Sequence, residues 1–82
     1  MKIYNYDGKS NIVGKNIYKY RKQLGISQEM LAARMQVNNV EITQKVISRI
    51  EKQERFVTDY ELLVFSQVLK VSVYDLLEQD SP

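Results

Sequence analysis

The 82-residue sequence contains no cysteine and no histidine. Without cysteine there is no disulfide framework and no thiolate metal site. Without histidine the chain lacks the usual acid or base at neutral pH and the commonest metal ligand. No Gly-rich phosphate loop is present and the carboxylates are scattered, so nothing assembles a catalytic site. The expectation is therefore no enzyme activity, no cofactor, no metal and no small-molecule substrate. No apolar run approaches the roughly 18 residues of a membrane span. The opening MKIYNYDGKSN has no signal-peptide core. A soluble, cytoplasmic protein with no membrane contact is expected.

What is present points to one folded domain. The apolar content of 44% is enough for a core, although a chain this short buries only about 60% of its unfolded surface. The net charge of +2 hides an asymmetry. Residues 1–55 carry 11 of the 12 basic side chains and 5 of the 10 acidic ones, whereas residues 56–82 carry Lys70 against five acids. One basic face and one acidic end suggest a polyanionic partner for part of the surface, although most charge runs are simply solvated.

Helical periodicity dominates from residue 12. Val13, Ile17, Tyr20 and Leu24 fall on one helix face, and Gly25 then closes the helix. Ser27 is a good N-cap for a second helix with Leu31, Ala32 and Met35 on its apolar side. Thr43 is a good N-cap for a third, in which Val46, Ile47 and Ile50 are apolar. Thr58 with Glu61 makes a capping box for a fourth helix whose core stripe is Leu62, Phe65 and Leu69. Ser72 with Asp75 repeats that pattern for a short fifth helix containing Leu76 and Leu77. The spacing predicts an all-α domain over residues 12–77, a tail at 78–82, and residues 1–11 outside it. Those eleven residues have two readings: a flexible arm, which is favoured, or a strand around Ile3, Tyr4 and Tyr6 that pairs with a copy of itself or an arm that lies along DNA.

Helices two and three make a helix-turn-helix arrangement, whose second member lies in the DNA major groove. Such a recognition helix needs an apolar inner face, supplied by Ile47 and Ile50, and long hydrogen-bonding side chains outside. Gln44, Lys45 and Arg49 supply those: glutamine pairs bidentately with adenine, and arginine or lysine with guanine. Ser27 and Gln28 open helix two, where unpaired backbone N–H groups suit a phosphate. For each of these residues the ordinary alternative is a solvated surface side chain.

The stretch RKQLGISQEMLAARM followed by TQKVISRIE resembles the phage Cro/repressor class of helix-turn-helix proteins, the XRE family. Arg21, Gly25, Ile26, Ser27, Gln28, Leu31, Ala32, Thr43, Ile47, Ser48, Glu51, Leu69, Val71, Ser72, Leu76 and Leu77 follow the family pattern in order across residues 12–77. The resemblance implies a five-helix, lambda-repressor-like DNA-binding domain. It also implies an internal salt bridge between Arg21 and Glu51. The implied DNA contacts are Ser27, Gln28, Thr43, Gln44, Lys45, Ser48, Arg49, Lys52 and Arg55, with Gln53 beside them. Double-stranded DNA is the expected partner, bound by a homodimer. Val71, Val73, Tyr74, Leu76 and Leu77 are a candidate dimer surface, or the core that closes the bundle. Tyr18 and Tyr60 lie on expected helix surfaces, where a hydroxyl reaches phosphate or water.

One feature departs from the family pattern. Leu31 and Ile47 are 16 residues apart, where about eleven is usual. The extra five residues lie in the turn, where QVNNVEI stands in place of the common glycine and Asn38-Asn39 is the turn signal. Helix two is expected to run to about Val37, with Val40 and Ile42 packing back onto the core. A loop insertion costs little; the alternative is an added DNA-backbone contact through Asn38 or Asn39. The function expected is a sequence-specific transcriptional regulator, a repressor acting on an inverted repeat. The alternative is an antitoxin-like protein-interaction module, against which the short tail EQDSP counts.

Overall fold

The computed structural model describes residues 5–79. Those residues form five α-helices: α1 Gly14–Leu24, α2 Gln28–Val37, α3 Gln44–Glu51, α4 Asp59–Leu69 and α5 Val73–Leu77. α1 packs against α3, α4 and α5, and α2 packs against α3 and α4. Leu31, Met35, Ile17, Ile47, Ile50 and Phe65 meet, fully buried, in the centre.

Local chemistry sets the helix limits. Ser27, Thr43, Thr58 and Ser72 each accept a hydrogen bond from the backbone N–H three residues on, and the last two complete reciprocal capping boxes with Glu61 and Asp75. At the far ends, Gly25, Asn39, Gln53 and Lys70 all adopt left-handed backbone conformations. Each is followed by an N–H that reaches back five residues: Ile26 to Arg21, Val40 to Met35, Glu54 to Arg49 and Val71 to Ser66. The first four helices thus end in the same 6→1 closure, and only one of the four uses glycine.

Leu24, expected on the core face, is 39% exposed. The inward position on the last turn of α1 belongs to Arg21, and Ile26 covers the end of the helix. Tyr20 and Leu62 are half-buried at the edge of the core. Leu76 is fully buried and belongs to the core, so it is withdrawn from the candidate dimer surface, while Tyr74 stands out in solvent.

The lengthened turn is packed, not slack. Asn39 turns the chain, Val40 and Ile42 point into the core, and Glu41 between them points out. Gln36 Nε2 ties the segment to α2 by donating to the Ile42 carbonyl at 3.0 Å.

Tyr6 and Lys9 form a single antiparallel bridge around a turn at Asp7-Gly8. Ser10 donates its N–H to the Gln53 carbonyl, and Asn11 is buried. Asn11 Oδ1 accepts from Gly14 N at 2.8 Å, and its Nδ2 donates to the carbonyls of Ile50 and Arg55. The end of the segment read as an arm is therefore fastened to the body. The suggested strand positions Ile3 and Tyr4 lie outside the described residues.

Arg55 and Glu61 form an ion pair at 2.6 Å that braces the start of α4. Burial alone would push the Glu61 carboxyl up; hydrogen bonds from Arg55 and the Thr58 backbone outweigh it and hold the carboxyl below its ordinary range. A carboxyl lowered in this way stabilises the fold above its unfolded pKa, and the contribution is lost as pH falls through the folded value. Glu61→Gln keeps the capping geometry but not the charge. Its thermal midpoint should fall below the wild type's near neutrality, and the two should converge in acid. A gap that stays constant across the titration would show that the charge contributes nothing.

Candidate nucleic-acid interface

The N-termini of α2 and α3 lie side by side, joined by a chain of hydrogen bonds that starts in the core. Arg21 and Glu51 form a two-pronged ion pair, with Nε to Oε2 at 2.7 Å and Nη2 to Oε1 at 3.1 Å. Both side chains are more than nine-tenths buried. Arg21 Nη1 also donates to the Ile26 carbonyl, tying the pair to the closure of α1. The hydrogen bond to Glu51 raises the Arg21 pKa further, against the opposing effect of burial.

Glu51 then accepts a third donor, Gln28 Nε2, at 2.8 Å. An ionised carboxylate only accepts, so the Gln28 amide must turn its nitrogen toward Glu51 and its oxygen away. That oxygen accepts from Gln44 Nε2 at 2.6 Å. Gln28 and Gln44 are each the first residue after a helix N-cap, which is why the two amides meet. The buried charge thereby fixes both amide orientations. Gln44 retains a free Oε1 and one N–H, the acceptor and donor that adenine requires in the major groove.

α3 carries Ile47 and Ile50 inward and Lys45 and Arg49 outward, the latter two exposed and one turn apart. Ser48 is half-buried, and Lys52 is exposed at the end of the helix. The Ser27 and Thr43 hydroxyl oxygens serve as caps, accepting from Met30 and Val46 N–H groups. Gln53 and Arg55 are placed differently. Gln53 turns back to donate to the Asn11 carbonyl, and Arg55 is held by Glu61 and the Phe56 carbonyl. The link from Gln28 to Gln44 was not legible in the sequence. The only hint was that both residues follow a strong N-cap.

Among the described residues, no group of carboxylates could hold a metal ion and no helix is long and apolar enough to cross a membrane.

Comparison with known proteins agrees with this architecture. The helix-turn-helix family model matches residues 17–76. Among solved structures, the chain is similar to the P22 c2 repressor protein in complex with synthetic operator 9T in the presence of Tl+. The two are 32% identical with a TM-score of 0.65, over 84% of this chain and 97% of that one. No curated protein matched. The chain belongs to the XRE-type helix-turn-helix family of DNA-binding transcriptional regulators.

Proposed function

We propose that this protein is a repressor that binds an inverted repeat in double-stranded DNA as a homodimer, with α3 in the major groove. The observation that carries the reading is the amide chain from Glu51 through Gln28 to Gln44. It presents one donor and one acceptor at the start of α3 with their orientation already fixed. In this reading Gln44 takes adenine, and Arg49, with Lys45, takes guanine or the adjoining phosphates. The second Nε2 hydrogen of Gln28 and the N–H groups opening α2 at Ser27 and Gln28 face the backbone. Thr43, Ser48 and Lys52 border the groove. Arg55 acts by holding the turn after α3. One recognition helix reads few base pairs, so useful specificity needs two copies on half-sites one helical turn apart, roughly 34–36 Å. The similarity to a repressor solved on its operator supports the same conclusion.

Selection from random duplexes with Gln44→Ala and Arg49→Ala tests the assignment. Arg49→Ala should lose about 1–3 kcal/mol of binding and relax the preference at one base position. Gln44→Ala should relax a different position, read as adenine in the wild type. Equal loss on every sequence would reduce both side chains to phosphate contacts and refute the base assignments.

A further inference from the structure

The outer surface of α4 breaks the pattern expected of a surface helix. Phe65 and Leu69 point inward, but the opposite side is not charged. Tyr60 and Leu63 are 59% and 50% exposed, Val64 and Val68 flank them half-buried, and Gln67 is the one polar side chain between them. α4 has no basic residue, and its acids lie only in the first turn. A helix apolar on both sides is one that is covered on both sides. The strip continues into a groove of about 400 Å³ bordered by Val37 and Val68, with Val37 82% exposed, and by the polar side chains Arg34, Asn38, Gln67 and Lys70.

The charges say what covers it. Asp59 opens the helix and Lys70 closes it, both exposed. Helical spacing puts them on the same flank, about 16 Å apart along the axis. Tyr60, Val64 and Val68 occupy the other flank. We propose that this face is where two copies of the chain meet, α4 against α4, antiparallel about a two-fold axis near Val64. That arrangement is isologous. It sets Asp59 against Lys70 of the partner subunit, twice, and lowers each Tyr60 into the groove formed by Val37 and Val68 on the other copy. Parallel packing would instead turn the charged flank of each copy toward the Tyr60, Val64 and Val68 flank of the other, leaving Asp59 and Lys70 with no opposite charge across the interface. Gln44 and Arg49 lie on α3 and are not part of the exposed α4 strip of Tyr60, Leu63, Val64 and Val68, so the pairing uses none of the side chains assigned to base reading. The proposal rests on the homodimer reading above and supplies its interface.

Sedimentation velocity of the full chain over a range of concentrations, free and with a duplex carrying two half-sites, is the test. Leu63→Glu should weaken self-association about thirtyfold or more while leaving the melting temperature near wild type, because the site is half exposed. Asp59→Lys alone and Lys70→Asp alone should each weaken it about tenfold. The double swap Asp59→Lys/Lys70→Asp should restore it to within about threefold of wild type, since opposite charges again face each other. A wild-type dimer that Leu63→Glu and both single charge variants leave intact would overturn this interface and keep the homodimer. A chain that stays monomeric and loads one copy per duplex would overturn both.

Discussion

Replacing Glu51 with alanine is expected to destabilise the fold by about 3–5 kcal/mol, because it strands a buried guanidinium. A domain of this size has about 5–10 kcal/mol in all, so the variant should be partly unfolded on warming. Three donors lose their acceptor at once: Arg21 Nε, Arg21 Nη2 and Gln28 Nε2. Water cannot easily replace Glu51, since both members of the pair are almost fully buried. Urea unfolding near neutral pH measures the loss, and a cost below about 1 kcal/mol would place the pair with ordinary surface bridges and contradict the account. A second variant separates stability from recognition. Arg21→Met/Glu51→Leu replaces the pair with apolar groups of similar size, a change that is often neutral or stabilising. Its fold should recover, but Gln28 has lost its anchor. Preference at the Gln44 base position should therefore stay weak even though the protein is folded.

Gly14→Ala is the second large effect, and its cause is steric. A Cβ at Gly14 would collide with the backbone carbonyl oxygen of Ile50 and crowd Asn11 Oδ1 and Gln53 Cγ. That carbonyl belongs to α3, so the start of α1 and the end of the recognition helix touch backbone to backbone. Alanine would ordinarily strengthen a helix by about 1 kcal/mol over glycine. Here a rigid main chain would have to move, and a net loss of about 3 kcal/mol is expected. The same carbonyl accepts from Asn11 Nδ2, so the displacement also disturbs the hydrogen bonds that fasten the segment before α1. Thermal and urea unfolding give the sign directly. A variant as stable as the wild type or more so would show that the approach of the two helices is not as close as described.

These two sites illustrate what the sequence revealed and what it withheld. N-caps were legible because a hydroxyl three residues ahead of a backbone N–H is a local motif: Ser27, Thr43, Thr58 and Ser72 all cap as their positions imply. Helix ends were less legible, since Gln53 and Lys70 adopt a left-handed conformation that sequence reading reserves for glycine and asparagine. Gly14 gave no signal, because its need for a missing Cβ comes from a residue 36 positions away in sequence. Leu24 misled for a related reason: periodicity ranks apolar residues for the core, but the inward position went to Arg21, which Glu51 satisfies. The lengthened turn could be counted, and Val40 and Ile42 pack back onto the core as expected, with Glu41 between them turned outward. Which partners Gln28, Gln53 and Arg55 would take depended on how distant elements dock, and no local pattern carries that information.

Function rests on whether the surface formed by the start of α2 and the outside of α3 reads a sequence. The most direct measurement is selection from a random duplex library by the wild-type chain, repeated at two salt concentrations. An enriched inverted repeat is expected, with half-sites one helical turn apart, adenine fixed at one position in each half, and affinity that falls steeply as salt rises. Salt-sensitive binding that enriches no sequence would contradict it.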